Sequence, residues 1–244
     1  MNKFVDYLNR FITFAGKQGG ERMYFTIIGD IVSSKQMKNK ERYNLQVKID
    51  AVLSEINKKY KPDIAADFAI TLGDEFQGLL KNAESILEII DLIKYKLEPI
   101  EIRFGIGAGD IFTDISQNSS IKTDGPAFWH ARYAVKQMQE NKNYNNPKIV
   151  FEAEDERVAW TNMINESLKL CDYTEKRWTE KQKNLIRESI LHFGHDSEIP
   201  QKELAKILEI SIPAVNVHIK RSGYYNYLNL RKAIGAALQK EWGK

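Results

Sequence analysis

The order of strand and helix signals, β-α-β-β-α-β and then helices alone, predicts an α+β protein: a ferredoxin-like sheet domain followed by an all-α C-terminal domain. Three observations carry this. Period-two alternation marks the strands, as in Phe68, Ile70 and Leu72 against Asp67, Ala69 and Thr71. Three-to-four spacing marks the helices between them, as in Leu45, Ile49, Val52, Leu53 and Ile56. Charge also changes sign along the chain. Residues 173–244 hold thirteen Lys/Arg against eight Asp/Glu, while 1–172 hold twenty-three against twenty-five. A mildly acidic body with a basic tail points to a polyanion partner for the tail.

The bulk numbers bound the rest. With 244 residues, 43 % hydrophobic and 28 % charged, the chain is expected to be globular and soluble, with room for one large domain or two small ones. Cys171 is the only cysteine, so there is no internal disulfide and no cysteine-rich zinc site, which fits a reducing cytoplasm. No apolar run is long enough to span a bilayer, and no membrane partner is expected.

Residues 1–22 read as an amphipathic arm, with Phe4, Leu8, Phe11, Ile12 and Ala15 on one face and Gly19-Gly20 as the break. The arm either docks on the body or pairs with a copy of itself, which would give a homodimer. From Tyr24 to Val32 the chain is almost continuously apolar, the pattern of a strand buried on both faces. Asp30 interrupts it. An unpartnered polar group buried there would cost ~2–7 kcal/mol, so it needs a partner or a cation. Ser33, Ser34 and Lys35 follow as a loop, and a helix over about 40–60 stops at Pro62.

A hairpin comes next, with Thr71-Leu72-Gly73-Asp74-Glu75-Phe76-Gln77-Gly78 carrying its turn. A helix over about 82–97 ends before Pro99. Ile100, Ile102, Phe104, Ile106 and Ala108 then form the apolar face of a strand whose other face carries Gly105, Gly107 and Gly109. A strip without side chains serves either close phosphate contact or tight helix packing. In a ferredoxin-like sheet the first strand lies antiparallel beside the third, which brings Asp30 to Asp74 and Glu75. Carboxylates so crowded repel unless a divalent cation joins them, and oxygen ligands suit Mg²⁺ or Mn²⁺. After a polar loop over 113–123, Thr123-Asp124-Gly125-Pro126 opens a helix, with Asp124 or Thr123 expected as its cap. Arg132, two turns in, either grips a polyphosphate beside the acids or pairs with Glu101 or Asp124. A strand over 148–152 and a linking helix over about 154–172 complete the body.

These segments carry a resemblance. Gly29-Asp30-Ile31-Val32-Ser33-Ser34 resembles the first metal motif of class III nucleotide cyclases, and Thr71-Leu72-Gly73-Asp74-Glu75-Phe76 resembles their second metal hairpin and the signature hairpin of diguanylate cyclases. Arg103 to Gly109 is similar to their glycine-rich strand, and Asp124 to Arg132 to the helix that ends in Ala-Arg. With the C-terminal part, the set closely resembles the SatD family over about residues 23–240. The resemblance implies a palm-type, nucleotide cyclase-like domain. Its metal ligands would be Asp30, Asp74 and Glu75, its nucleotide contacts Ser33, Ser34, Lys35, Gly105 and Gly107, and its catalytic cation Arg132. Two departures stand out. No lysine lies near Ile70, where cyclases read the purine, and Phe128, Trp129 and His130 replace the cyclase asparagine. The metal-binding half of the site is thus expected and the base-reading half is not.

In the C-terminal part, Thr179-Glu180-Lys181-Gln182 is a capping box for a helix that ends at Gly194. Residues 200–221 resemble the helix-turn-helix of bacterial regulators. Ala205 allows a close crossing, Ile210 plugs the turn, Ser211 caps the second helix, and Val215 and Ile219 anchor it. Pro213, Ala214, Asn216, Val217, Lys220 and Arg221 are left to face double-stranded DNA, with Asn216 reading a base and Lys220 and Arg221 holding phosphates. The alternative is a three-helix core or an oligomerisation module. Of Tyr224, Tyr225 and Tyr227, at least two are expected to pack rather than stack on bases, and His192, His195 and His218 lack metal-ligand spacing.

The expected organisation is an arm (1–22), a cyclase-like palm (23–172) and a helix-turn-helix domain (173–244). The expected function is a cytoplasmic bacterial regulator that couples nucleotide and metal binding to DNA binding. Two alternatives stay open: a metal-dependent nucleotide cyclase or hydrolase whose tail serves assembly, and a degenerate palm that only makes protein contacts.

Overall fold

The structure, a computed structural model, describes residues 23–32, 38–71, 75–141, 146–154, 157–196 and 198–243. The arm expected over 1–22 lies outside the described residues, as do Ser33, Ser34, Lys35 and Asp74.

Five strands form one sheet: β1 (Tyr24–Ile31), β2 (Ile64–Ile70), β3 (Glu75–Leu80), β4 (Ile102–Gly109) and β5 (Ile149–Ala153), in the order β2-β3-β1-β4-β5. Pairing is antiparallel except between β4 and β5, which run parallel. Helices α1 (Asn39–Lys59) and α2 (Ile86–Leu97) connect the first four strands. This is the expected β-α-β-β-α-β order with β1 at the centre, and β5 extends the sheet beyond β4.

The strand pattern explains the layers. Phe25, Ile27 and Ile31 of β1 and Ile102, Phe104, Ile106 and Ala108 of β4 point to one face, into a core shared with α1 and α2. Ile28, on the other face, packs against Ala131, Ala134 and Val135 of α3 (Pro126–Glu140). The sheet is therefore buried on both sides, which is why β1 reads as a continuous apolar run.

Five helices follow or flank β5: α4 (Val158–Arg177), α5 (Glu180–Phe193), α6 (Gln201–Ile207), α7 (Ile212–Ser222) and α8 (Tyr224–Trp242), with α3 before it. The capping box at α5 forms as expected. Gln182 N–H donates to Thr179 Oγ1 at 3.4 Å, and Thr179 N–H donates to Gln182 Oε1 at 2.8 Å. Gly194 ends the helix at φ 62°, a conformation that glycine tolerates.

Two expectations about this region change. The boundary expected between 172 and 173 falls inside α4, and the chain breaks later, at Trp178-Thr179. The C-terminal helices also share the main core with the sheet rather than forming one of their own. Phe151 of β5 meets Trp242 of α8 edge-on at 4.9 Å, and Trp178 meets Tyr227 at 4.9 Å. Among the described residues no helix is long and apolar enough to cross a membrane.

Candidate functional site

The end of β1 gathers the groups that matter. Register sets Asp30 opposite Glu75 on β3 and opposite Arg103 on β4. Alternation turns Asp30, Glu75 and Arg103 to the same face as α3, because Ile28, Gln77 and Gly105 flank them at two-residue steps. Asp30 is 9 % exposed, and Arg103 Nη1–H donates to its Oδ2 at 3.0 Å. The guanidinium is the partner that a carboxylate this deep requires. Glu75 lies at the start of β3, where the Thr71 hydroxyl reaches its Oε1 at 3.3 Å.

One step inward, Gln77 is 1 % exposed and locked in place. Its Nε2–H donates to Ser120 O at 2.9 Å, and the Ser120 hydroxyl donates back to Gln77 O at 3.0 Å. Arg132 extends from α3 over this wall, with Nη2 at 3.5 Å from Gln77 Oε1 and Nη1 at 3.6 Å from Asp124 Oδ1. It is half-exposed and lies over the Phe128 ring. Of the two roles expected for Arg132, the Asp124 pairing is the one formed here.

Asp30 and Glu75 are therefore brought together, and Asp74 falls outside the described residues. Among the described residues no group of three or more His, Cys, Asp or Glu is placed to hold a metal ion. Two carboxylates on adjacent strands are nonetheless hard oxygen donors of the kind Mg²⁺ and Mn²⁺ take. Arg103 occupies Asp30 Oδ2 only. The residues present fit a divalent cation if a further oxygen ligand joins them.

The glycine strip changes meaning. A Cβ on Gly105 would stand 2.2 Å from Ala131 O, and one on Gly107 would stand 2.1 Å from Ala127 O. The α3 backbone fills that face, so Gly105 and Gly107 serve helix packing and leave no room there for phosphate. The cap of α3 is corrected too. Gly125, not Asp124 or Thr123, is its N-cap, while the Asp124 carboxylate accepts the Trp129 indole N–H at 3.0 Å.

In the C-terminal helices Ser211 caps α7, its hydroxyl accepting from Ala214 N–H at 3.3 Å. Val215 and Ile219 are buried. Pro213, Val217, Lys220 and Arg221 are exposed, and Ala214 and Asn216 are half-buried. Ile210 does not plug the turn. It is 37 % exposed, and the turn closes instead through Ile210 N–H to Ala205 O at 3.0 Å, with Glu209 at φ 54°. Tyr224 and Tyr227 are buried and Tyr225 is at the surface.

Sequence reasoning missed a buried ionic cluster. Asp91 of α2 and Arg231 of α8 are both 0 % exposed, with Nη2–H donating to Asp91 Oδ1 at 2.8 Å and Nε at 2.7 Å from Oδ2. His195 Nε2 lies 2.8 Å from Asp91 Oδ2, and Lys94 Nζ lies 3.3 Å from Oδ1. Lys94 also donates to Glu175 of α4 at 2.9 Å. Burial alone would raise the Asp91 carboxyl; Arg231, Lys94 and His195 outweigh it and hold it well below the ordinary carboxylate range. A signal existed. Asp91 lies between Ile89-Ile90 and Leu92-Ile93 in α2, so an acid there demands a buried partner.

A family model described as the SatD family matches residues 24–238. No curated protein matches the chain. Several solved structures do. The dimeric guanylyl cyclase domain of the RhoGC fusion protein from the aquatic fungus Blastocladiella emersonii is 16 % identical, with 46 % of this chain and 72 % of that chain covered at a TM-score of 0.36. A bacterial light-regulated adenylyl cyclase is 15 % identical, covering 55 % and 77 %, at 0.40. The regulator of polyketide synthase expression from Bifidobacterium adolescentis is 13 % identical, covering 95 % and 91 %, at 0.26. Scores this low bear on neither mechanism nor ligand, and the sheet order above rests on its own register.

Proposed function

The chain belongs to the SatD family, and we propose that it is a cytoplasmic regulatory protein whose cyclase-like palm binds a nucleotide with a divalent cation, while α6 and α7 act as a helix-turn-helix on double-stranded DNA. The observation that carries the first half is the register that sets Asp30 beside Glu75 at the end of β1, with Arg103 paired to Asp30. Asp30, Glu75 and Asp74 would hold Mg²⁺ or Mn²⁺, and Ser33, Ser34 and Lys35 would meet the phosphates. The cation, when bound, supplies a Lewis acid that polarises a phosphoryl oxygen. Arg132 turns from Asp124 to the polyphosphate and offsets its charge. Gln77, pinned by Ser120, keeps the wall beneath it fixed.

The second half is supported by the outward face of α7. Val217, Lys220 and Arg221 are exposed there; Asn216 would read a base edge, and Lys220 and Arg221 would hold phosphates. A fluorescent nucleoside triphosphate titrated with Mn²⁺ tests the palm. Binding is expected to require Mn²⁺ and to weaken at least ~10-fold in Asp30→Asn, the loss of about 1.4 kcal/mol. Equal binding by that variant would remove the metal assignment. A rival reading, a cyclase or hydrolase whose tail serves assembly, draws on the core that the tail shares with the sheet. Products resolved after the same incubation separate the two readings: a cyclic nucleotide or a diphosphate favours the enzyme.

A further inference from the structure

The outer face of α4 is apolar where it meets solvent. Met163, Leu170 and Tyr173 are 51 %, 56 % and 57 % exposed, and Val158 and Trp160 add to them at the start of the helix. Steps of seven and three residues put Met163, Leu170 and Tyr173 on one side. Ile164, Leu168 and Cys171, which seat α4 on the body, lie on the other. Single apolar side chains at a surface are ordinary, but a run along one helix marks an interaction surface.

The chain holds a segment that fits this face. At helical spacing Asn2, Lys3, Asp6, Asn9, Arg10 and Thr13 share about one third of the wheel, and every other residue from Phe4 to Ala15 is apolar or aromatic. A helix so divided needs an apolar surface to cover it. At 1.5 Å per residue, Phe4 to Ala15 spans ~17 Å and Val158 to Tyr173 ~23 Å, so the one fits along the other.

The point of attachment favours α4 of the same chain. Tyr24 pairs with Gly109 at the end of β4, Ala108 pairs with Ala153 at the end of β5, and α4 starts just beyond, at Val158. Asn165 holds α4 along β5, its amide accepting from Phe151 N–H at 2.8 Å and donating to Phe151 O at 2.9 Å. Two strand spacings of ~4.8 Å separate β1 from β5. Residues 16–22, which include Gly16, Gly19 and Gly20, span up to ~23 Å. A tether this short gives the segment a local concentration on the order of millimolar, well above that of a second molecule.

We infer that residues 4–15 fold as an amphipathic helix seated along α4 of the same chain, with Leu8 and Phe11 on Met163 and Leu170. The inference is independent of the nucleotide reading. Hydrogen exchange of the full chain, read by mass spectrometry, tests it. Amides of 4–15 are expected to exchange at least ~10-fold more slowly in wild type than in Met163→Asp/Leu170→Asp. Those positions are exposed, so the variant is expected to keep its cooperative thermal transition. A cysteine pair gives a second reading. Under mild oxidant, Leu8→Cys with Met163→Cys is expected to close within the monomer at least ~10-fold faster than Leu8→Cys with Val47→Cys. Val47 is an exposed position on α1, and buried Cys171 stays out of the reaction. Equal exchange in wild type and the folded variant overturns the inference. So does protection that appears only as the chain dimerises or only on phosphatidylglycerol vesicles, and so do equal rates for the two cysteine pairs.

Discussion

Replacing Arg231 with methionine removes one partner of a fully buried ion pair while keeping most of the side chain's volume. Both Asp91 and Arg231 are 0 % exposed, so water does not compensate the carboxylate that is left. Breaking such a pair from one side costs about 3–5 kcal/mol. Here Lys94 at 3.3 Å and His195 at 2.8 Å stay beside Asp91, which places the loss at the lower end, about 3 kcal/mol. In urea, with a slope of about 3 kcal/mol/M, the midpoint falls by about 1 M. Replacing Asp91 with leucine as well removes the stranded charge, and the double variant is expected to recover most of that loss, because buried pairs exchange for apolar groups at little cost. A shift under ~0.3 M for Arg231→Met, or a double variant no more stable than the single, would refute the reasoning.

Further outcomes follow from other groups. Gly107→Ala puts a Cβ 2.1 Å from Ala127 O; overpacking of about 1–3 kcal/mol predicts a calorimetric midpoint lower by at least ~2 °C, whereas a phosphate-contact role predicts none. The depressed Asp91 carboxyl contributes stability that is complete above its unfolded value of ~3.9 and is lost as pH falls through its folded value. The stability gap between wild type and Asp91→Asn should therefore narrow below about pH 4 in urea titrations. Burial pushes the Cys171 thiol up to about 11, so a thiol reagent at pH 8 should label it only after unfolding; native labelling at the unfolded rate would contradict that burial. Lys220→Ala with Arg221→Ala should flatten the salt dependence of DNA binding by about 2 in log–log slope, and an unchanged slope would take α7 off the DNA.

The sheet was legible because its strands carry the apolar pattern of their burial, a continuous run in β1 and alternation in β2 and β4. That pattern gave the order of the first four strands and, through the ferredoxin-like connection, the meeting of Asp30 and Glu75. The same register held Arg103, three residues after Ile100 on the glycine face, yet its role as the partner of Asp30 was not drawn from it. Other features depend on the depth of tertiary contact, which periodicity does not encode. Gly105 and Gly107 read equally as a phosphate strip or a helix seat until α3 is seen on them. Nothing local in the sequence marks Arg231 as buried, and its partner lies 140 residues away. The break near 172 was placed by a change in charge, while helix α4 continues to Arg177 because Ile164, Leu168 and Cys171 share one buried face.

The same contacts decide how the two halves can communicate. Segments that fold separately meet through polar surfaces of modest size and move on their linker. Here Asp91 of α2 is closed over by Arg231 and His195, and α8 also covers Phe151. A fragment ending at Arg177 would expose the apolar flank of α2 and leave Asp91 with Lys94 alone. Such a fragment is expected to bind a hydrophobic dye and to melt without a sharp transition, the behaviour of a chain that keeps its secondary structure but loses fixed packing. A cooperative transition near that of the full chain would show that the palm folds alone. If the fragment does lose its packing, no hinge is available to carry a nucleotide signal to α7. The signal would then have to shift the α2–α8 contact itself, and Arg231→Met would change DNA affinity without touching either ligand.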